Sequence, residues 1–354
     1  MKTVYVSSIW GHSGKTSIIT GLGLKLMKEG YKVGYFKPFF EITSTGEDTK
    51  THLDCDVITL KKVFNLPDDV NDIAPLPYSD LHLKRLLEQG RDKILDEIEK
   101  SFQIISQGKD VVIIEGHETP ATGIFFNLHA PMMAQKFNAR VIQVAKYSET
   151  YLDDFLGSIK FFRCDGVTDM GGIFNSVPNN RIEEDRELIA PYLEQEGVFN
   201  GGMIPFDEII AVPTVKDVYE QLGAKLITGD DFLDKKVRHV MVGAMTGEGA
   251  MTHFRRKTDK AVITGGDRGD VALAALETST SVLILTGGFE PSTRVISEAR
   301  EREVPILLVK NDTFSTAKRL SDHVWKITSE DEERLDLITS IFEQYVDWKE
   351  VIKD

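Results

Sequence analysis

Short apolar runs followed by helix-like stretches recur along the chain. Each run is rich in Val, Ile and Phe, and a turn signal separates it from the helical pattern that follows, as in repeated strand–helix units. This alternation predicts an α/β protein with a mostly parallel sheet. The first part of the chain is predicted to form strands near 3–8, 32–37, 110–115, 139–145, 170–175 and 202–205, and helices near 15–29, 82–107, 127–138, 150–163 and 181–196.

A second series of apolar runs predicts a smaller α/β domain. Before it, 215–236 has the pattern of a short helix and a connecting piece, and local structure is weakest at Thr228-Gly229-Asp230-Asp231. We therefore expect a first domain at 1–229 and a second at 230–328. The predicted strands of the second domain lie near 237–243, 260–264, 281–286 and 304–309.

The tail at 329–354 is predicted to be an amphipathic helix. Ser329-x-x-Glu332 has the spacing of a capping box, and a stripe of apolar residues follows at helical intervals. Such a stripe must be covered, either by the second domain or by a partner chain. We expect a homodimer formed mainly through residues beyond 230. The stripe consists of Leu335, Ile338, Ile341, Phe342, Tyr345 and Val346.

Composition adds a few limits to this picture. The 354 residues are 41% hydrophobic and 28% charged, as in soluble globular proteins, and the net charge of −14 argues against a surface for nucleic acid or anionic lipid. Cys55 and Cys164 show no disulfide or zinc spacing. The chain opens on a strand-like run, and no apolar run approaches ~18 residues. We expect a cytoplasmic protein that neither enters nor crosses a membrane.

The sharpest chemical signal follows the first predicted strand. It is the run Gly11-His12-Ser13-Gly14-Lys15-Thr16-Ser17, and a predicted helix begins within it. Glycines let backbone N–H groups approach phosphate oxygens, the helix N-terminus is electropositive, Lys15 neutralises charge, and Thr16 can bind Mg²⁺. The strict phosphate-loop pattern needs glycine at position 9, where this chain has Ile9. The strand–loop–helix context nevertheless predicts a phosphate-binding loop.

Two charged residues end predicted strands at the edge where open α/β sheets bind ligands. Glu115 closes the run 110–115, where P-loop proteins keep the acid that holds the metal, although a solvent-facing glutamate is the alternative. Lys37 precedes Pro38 and can bridge substrate and γ-phosphate, or it can be a solvated lysine before a rigid turn. We assign catalytic roles to Lys15, Lys37 and Glu115.

Two further positions have open interpretations. Asp54 and Asp56 lie just ahead of a predicted helix, where Asp54 suits a metal ligand or where both only favour the helix dipole. We expect Thr16, Asp54 and Glu115 to bind Mg²⁺. Asn175 ends a strand, where its amide can read a purine edge or form a turn.

In this order, these residues resemble the dethiobiotin synthetase-like P-loop proteins over about residues 1–225. The shared features are the phosphate loop, Lys37-Pro38, Asp54, Glu115-Gly116 and Asn175. The resemblance implies a P-loop NTPase-type sheet that binds ATP, or another nucleoside triphosphate, with Mg²⁺. Where that family receives its diamine substrate, this chain has Phe39-Phe40-Glu41 and a run from His117 to Pro120. The nucleotide half of the site is kept and the diamine half is not.

The second domain carries glycine turns after successive strands. The run from Val262 to Asp270, repeated in geometry by Ile284 to Gly288, resembles the DRTGG domain over about residues 237–325. Glycine N–H groups beside an arginine can hold a small anionic effector, while tight turns need glycine without any ligand. In the second interpretation, Arg268 only pairs with Asp267 or Asp270. The candidate anion site comprises Gly265, Gly266, Arg268, Gly287 and Gly288.

The combination of the two domains resembles the N-terminal regulatory part of long-form phosphotransacetylases. Because the sequence ends at Asp354, we expect a stand-alone version without the acetyltransferase domain. Two functions follow from the resemblance. The first is Mg²⁺-dependent nucleotide binding with a regulatory output through the DRTGG domain. The alternative is an ATP-dependent enzyme that phosphorylates a carboxylate or carbamate for ligation, without making dethiobiotin.

Overall fold

The computed structural model describes residues 1–40, 54–78, 87–88, 90–321 and 329–353. The chain divides into two compact units, one formed by Met1–Asp207 with Lys326–Asp354 and the other by Glu208–Trp325. No helix in the described ranges is long and apolar enough to span a bilayer. Each unit is built around its own sheet, as the two series of apolar runs predict.

The first unit contains a six-stranded sheet in which every neighbouring pair is parallel. Its strands are mostly buried, which explains why they are apolar on both faces. A separate pair of two-residue strands, β3 and β4, follows β2. The strands are β1 (Lys2–Ser8), β2 (Val33–Phe36), β3 (Phe39–Phe40), β4 (Leu76–Pro77), β5 (Val111–Glu115), β6 (Arg140–Lys146), β7 (Met170–Val177) and β8 (Phe199–Pro205).

The strand order β2-β5-β1-β6-β7-β8 creates a crevice beside β1. The chain leaves β1 toward β2 on one side, whereas it leaves β5 toward β6 on the other. Ligands of open α/β sheets bind at such a reversal, outside the carboxyl ends of the strands. The phosphate loop follows β1 and Glu115 ends β5, so both predicted features lie at this position.

Five helices of the first unit match the five predicted stretches, and the helices Cys55–Val63 and Val70–Ile73 lie between the first two of them. The helix expected to begin at 82 is described from Arg91, and residues 82–86 and 89 lie outside the described part of the chain. The helices are α1 (Lys15–Lys28), α2 (Cys55–Val63), α3 (Val70–Ile73), α4 (Arg91–Ser106), α5 (Ala130–Lys136), α6 (Tyr151–Cys164) and α7 (Ile182–Gln195).

The second unit is a five-stranded sheet with order β10-β11-β12-β13-β9, in which only the pairing of β9 with β13 is antiparallel. The strands are β9 (Lys225–Thr228), β10 (His239–Val242), β11 (Lys260–Gly265), β12 (Thr280–Thr286) and β13 (Ile306–Leu308). The helices are α8 (Glu208–Ala211), α9 (Val215–Leu222), α10 (Gly247–Phe254), α11 (Gly269–Leu276), α12 (Thr293–Glu301) and α13 (Thr313–Ser321).

The boundary between the units differs from the expected position near 230. The second unit begins at Glu208, because α9 buries Val215 and Val218 in the core of that unit and β9 completes its sheet. A short helix and an edge strand carry no local mark of the sheet they join. The local sequence pattern therefore assigned α9 and β9 to the first domain, whereas they belong to the second unit.

The C-terminal helices, α14 (Glu332–Tyr345) and α15 (Trp348–Val351), belong to the first unit. Phe342 and Val346 of the apolar stripe lie in the core of that unit. Phe342 is buried against Gly21 of α1, where a Cβ atom would come within 2.7 Å of the ring. The helix begins two residues later than the capping-box pattern indicated, because Asp331, and not Ser329, is the N-cap and accepts the hydrogen bond from the N–H of Arg334.

Hydrogen bonds to main-chain carbonyls hold the last residues to the rest of the first unit. Lys2 Nζ donates to the carbonyl of Ile352 at 2.7 Å, and Arg140 Nη1 donates to the carbonyl of Glu350 at 2.7 Å. The N–H of Asp347 donates to Gly201 O at 3.0 Å. The stripe thus meets its partner at a sequence separation of more than 300 residues, which the pattern within the tail does not reveal.

Candidate functional site

The phosphate loop is folded by hydrogen bonds of its own side chains. Ser8 Oγ and Ser13 Oγ each donate to the carbonyl of Trp10 at 2.8 Å. Gly14 has φ of 92°, a left-handed conformation that favours glycine, and α1 begins at the next residue. His12 also lies in the left-handed region, with φ of 66°. The loop therefore ends directly at the helix N-terminus, as the sequence predicts.

Lys15 lies at the start of α1 and faces the crevice. Its Nζ donates to Ser8 Oγ at 2.7 Å. Burial lowers the pKa of Lys15, and the positive charge of Lys37 lowers it further, while the carboxylate of Glu115 acts in the opposite direction. Lys15 and the strand-end charges therefore share one electrostatic environment.

Lys37 is the centre of a buried ionic cluster. Its side chain is only 9% exposed, and Nζ lies 2.8 Å from Asp54 Oδ2, 3.2 Å from Glu115 Oε1 and 3.7 Å from Asp56 Oδ2. Burial alone would lower the pKa of Lys37, but the carboxylates, Glu115 first among them, raise it above its usual value. Lys37 is thus a charged group inside the crevice, and the solvated lysine of the alternative interpretation is not observed.

Glu115 is held at both of its carboxylate oxygens. Oε1 contacts Lys37, and Oε2 accepts a hydrogen bond of 2.5 Å from the hydroxyl of Tyr35. Burial raises the pKa of Tyr35, and the negative charge of Glu115 raises it further. Tyr35 was not predicted as a site residue. The signal was its spacing from Lys37, since alternate residues of a strand face the same side.

Asp54 has the helix N-terminal role, which is one of the two alternatives left by the sequence, and it also binds Lys37. It is the N-cap of α2, where Oδ1 accepts from the N–H of Asp56 at 2.8 Å, and its Oδ2 binds Lys37. Asp56 lies inside the first turn of α2. Within the described residues, no three His, Cys, Asp or Glu side chains are placed to hold a metal ion. The magnesium set of Thr16, Asp54 and Glu115 remains a prediction.

Residues that follow β5, together with Asn175 near the end of β7, complete the edge of the crevice. Asn175 Nδ2 donates to the carbonyl of Ser13 at 3.0 Å. Burial, together with the positive charges of Lys37 and Lys15, lowers the pKa of His117 to about 4. Glu118, which the sequence argument did not single out, brings its carboxylate within 3.2 Å of the Cβ position of Gly11. The crevice is therefore lined by charged and polar groups from several strand ends.

The glycine turns of the second unit use their N–H groups internally. The N–H of Gly266 donates to Thr286 O at 3.0 Å, that of Gly287 to Asn311 O at 2.9 Å, and that of Gly288 to Val309 O at 2.9 Å. Gly266 is required by close approach, because a Cβ atom there would lie 2.1 Å from Phe289 O. These donors serve the fold, in agreement with the interpretation that tight turns need glycine without any ligand.

Arg268 is likewise engaged within the second unit. Its Nη2 donates to Met245 O at 2.7 Å, and its Nε lies 3.3 Å from Asp270 Oδ1. The Asp270 carboxylate also accepts from the N–H of Gly247 at 3.0 Å. Of the two acidic neighbours considered for Arg268, the structure shows the pair with Asp270.

Comparison with protein families gives these observations a context. A model described as an AAA domain matches residues 2–214, which is more than half of the chain. The chain belongs to this AAA domain family. A second model, described as a DRTGG domain, matches residues 217–323. The AAA domain with its phosphate loop is thus followed by a DRTGG domain, as the sequence predicts.

Curated relatives align with almost the whole chain. One from Pseudomonas putida is 28% identical over 375 residues, covering 98% of this chain and 51% of the relative. Another, from Nitratidesulfovibrio vulgaris, is 26% identical over 368 residues with coverages of 98% and 51%. Both are named phosphate acetyltransferase. The chain spans about half the length of these relatives, and the predicted resemblance to phosphotransacetylases is confirmed.

Solved structures with partial similarity include two with bound nucleotides. The septum site-determining protein MinD of Pyrococcus horikoshii, complexed with Mg-ADP, is 18% identical with a TM-score of 0.34, covering 59% of this chain and 83% of that one. The CBS and DRTGG domains of Clostridium perfringens pyrophosphatase, complexed with diadenosine tetraphosphate, are 21% identical with a TM-score of 0.28, covering 38% and 63%.

Proposed function

We propose that the AAA domain binds ATP, or another nucleoside triphosphate, with Mg²⁺. The observation that carries this proposal is the meeting of a phosphate loop with the Lys37 cluster at one crevice of the sheet. The loop binds the phosphates through its backbone N–H groups and Lys15, and Thr16, Asp54 and Glu115 bind the metal. The residues assigned to the phosphates are Gly11, His12, Ser13, Gly14, Lys15, Thr16 and Ser17, all within one loop and the first turn of α1.

The charges of the crevice support a phosphate ligand. Lys15 is weakly paired, since its described hydrogen bond goes to a neutral hydroxyl, and burial makes its charge costly in the unliganded protein. A phosphate beside Lys15 provides the missing counter-charge. Lys37 already has carboxylate partners, so Mg²⁺ is needed to bring a polyanion close to Asp54 and Glu115.

The proposed role of nucleotide binding is regulatory. The AAA domain is followed by a DRTGG domain, and the relatives that share both are named phosphate acetyltransferase. This chain matches about half of each relative. We assign to it a nucleotide-dependent control function linked to acetyl transfer.

Thermal shift measurements with Mg-ATP test the proposal. Ligand binding to the folded state raises its stability by RT ln(1 + [L]/Kd), so Mg-ATP is expected to raise Tm. Lys15→Ala should remove most of this rise. Lys28→Ala is the matched control, because Lys28 ends the same helix and contacts only Glu343 among its described ion pairs. Equal shifts in wild type and Lys15→Ala would overturn the assignment of the loop.

A second candidate function is ATP-dependent phosphorylation of a carboxylate or carbamate. The observation that favours it is the buried Lys37, which contacts the carboxylates of Asp54 and Glu115 and can stabilise charge on a transferred phosphoryl group. Lys15 and Glu115 would act with it. Release of ADP in mixtures of ATP, Mg²⁺ and small carboxylates, followed by product analysis, distinguishes this function from binding alone.

The proposed assembly is a homodimer formed through the second unit. Its support is a set of large apolar side chains that are exposed in this unit, which a partner would cover. Light scattering should then give a particle mass of twice the chain mass of 39.7 kDa. The Val242→Glu variant should give the mass of a single chain. A monomeric wild-type protein would overturn the assembly. The exposed residues are Val240, Val242, Met245, Phe289 and Phe314.

A further inference from the structure

Asn175 contacts the phosphate loop directly, although it lies 162 residues further along the chain. Its Nδ2 donates to the carbonyl of Ser13 at 3.0 Å from the end of β7. A Cβ atom on Gly14 would lie 2.1 Å from the same nitrogen. The amide therefore fills the space that a side chain at position 14 would need, and the loop and Asn175 are in contact over two successive residues.

This contact fixes the orientation of one peptide unit. In a trans peptide the C=O and N–H groups point in opposite directions. When Asn175 binds the carbonyl of Ser13, the N–H of Gly14 is directed away from Asn175. That N–H belongs to the group of backbone donors that a phosphate loop presents to its ligand.

The other groups on either side of this peptide are already held by hydrogen bonds, so its orientation is the part of the loop that a contact from outside can fix. Ser13 Oγ is tied to the carbonyl of Trp10, and the Gly14 carbonyl accepts from Ile18 in the first turn of α1. Gly14 itself has φ of 92°, a region that glycine enters as readily as its mirror image. An external hydrogen bond is the simplest means of holding one of these conformations.

We propose that Asn175 is a positioning residue for the phosphate loop and acts on the Ser13–Gly14 peptide, and not on the base of the nucleotide. The proposal rests on the proposed function, in that the loop is taken to bind the phosphates. It changes the purine-reading role that the sequence suggested for this amide. A positioning role affects every ligand with a polyphosphate group, whereas base recognition affects nucleotides selectively.

Binding measurements with three ligands separate the two roles. The affinities of ATP, GTP and inorganic tripolyphosphate, each with Mg²⁺, are measured by calorimetry for wild type and Asn175→Ala. We expect all three affinities to fall together by about tenfold, since one hydrogen bond that orders the loop is lost. A fall for ATP alone, with tripolyphosphate binding unchanged, would overturn the proposal in favour of base recognition.

Two further variants control for effects on folding. Asn200→Ala removes an amide from the neighbouring strand β8, where Oδ1 accepts from the N–H of Gly202 at 3.0 Å, and should leave all three affinities unchanged. Asn175→Asp keeps the shape but places a carboxylate oxygen against the Ser13 carbonyl. Its loss of tripolyphosphate affinity should equal or exceed that of Asn175→Ala.

Hydrogen exchange of the unliganded protein tests the contact without any nucleotide. Asn175→Ala should accelerate exchange in residues 10–17 at least severalfold, and Asn200→Ala should not. Unchanged exchange in Asn175→Ala would contradict the positioning role. If wild type bound neither nucleotide nor tripolyphosphate, the proposed function would fail, and the exchange result would still decide whether Asn175 orders the loop.

Discussion

The carboxyl edges of the two sheets carry similar sequence signals but differ in how their polar groups are used. Both place glycine-rich turns and a basic residue after buried parallel strands. In the first unit, Lys15 and Lys37 face a crevice lined by carboxylates. In the second, the turn N–H groups and Arg268 are bound to carbonyls and a carboxylate of the same unit.

The difference shows what a glycine turn by itself can mean. Gly266 is needed because backbone approaches it closely, and Gly14 is needed because an amide side chain does. Only the second of these glycines lies beside a lysine at a helix N-terminus. Glycine at the edge of a sheet therefore indicates close packing. A ligand site also requires charge, or hydrogen-bond donors that the fold itself does not use.

The largest expected effect comes from removing the central cation of the first edge. Lys37→Met leaves Asp54 and Glu115 buried together without their shared counter-ion, which should lower the free energy of unfolding by about 3–5 kcal/mol at pH 7. Calorimetric or denaturant unfolding measures the loss.

Arg268→Met is the matched change in the second unit. Its side chain is 37% exposed, so its loss should change stability by no more than about 1 kcal/mol. If Lys37→Met and Arg268→Met lowered the free energy of unfolding equally, the proposed difference between the two sheet edges would be contradicted.

A smaller effect is expected from the hydroxyl that holds Glu115. Tyr35→Phe removes the donor to Glu115 Oε2 and should lower the free energy of unfolding by about 1–3 kcal/mol and weaken Mg-ATP binding. Tyr151→Phe removes a similar bond, since the Tyr151 hydroxyl donates to Asp185 Oδ2 at 3.1 Å, and neither residue is assigned to the phosphates or the metal. Tyr151→Phe should lower the free energy of unfolding but leave the affinity for Mg-ATP unchanged. A loss of Mg-ATP affinity in both variants would mean that the Tyr35 contact has no special role.

Acid should destabilise the first unit through His117. Its pKa is lowered from 6.5 to about 4 in the folded state, so its stabilising contribution is complete above about pH 6.5 and is lost as the pH falls toward 4. Between pH 7 and 5 this amounts to about 1–2 kcal/mol. His117→Asn should remove that part of the pH dependence, which parallel unfolding curves at several pH values would show. If wild type and His117→Asn showed the same dependence of stability on pH, the lowered pKa of His117 would be contradicted.

Alkali should have a weaker and opposite effect on the second unit. Lys260 is fully buried, and burial lowers its pKa to about 8. Because the folded state then loses this proton before the unfolded chain does, stability should rise by about 1 kcal/mol as the pH increases from 8 toward 10. Lys260→Met should abolish this rise. A wild-type protein whose second unit gains no stability above pH 8 would contradict the shift.

The sequence predicts those features that are local. The phosphate loop is a continuous run, and Lys37 and Glu115 end strands, so the order of the parallel sheet brings them to one edge. Asp54 was recognisable because it stands directly before a helix. The roles of these residues in binding nucleotide and metal remain predictions.

The missed features depend on distant parts of the chain. The bond of Tyr35 to Glu115 joins residues 80 apart, and the contact of Asn175 with Ser13 joins residues 162 apart. The packing of Phe342 on Gly21 cannot be read from the tail, because many apolar surfaces would satisfy the same stripe. The hydrophobic pattern within an element predicts which side chains must be buried. The surface that buries them is determined by the complete fold.

Hydrogen exchange with and without Mg-ATP tests the comparison of the two edges most directly. The account predicts that nucleotide protects residues 10–17 and the ends of β2 and β5 in wild type, that Lys15→Ala loses this protection, and that the turns at 265–270 and 286–290 are unaffected in both proteins. Protection of the second unit's turns that persists in Lys15→Ala, with none at the phosphate loop, would contradict it.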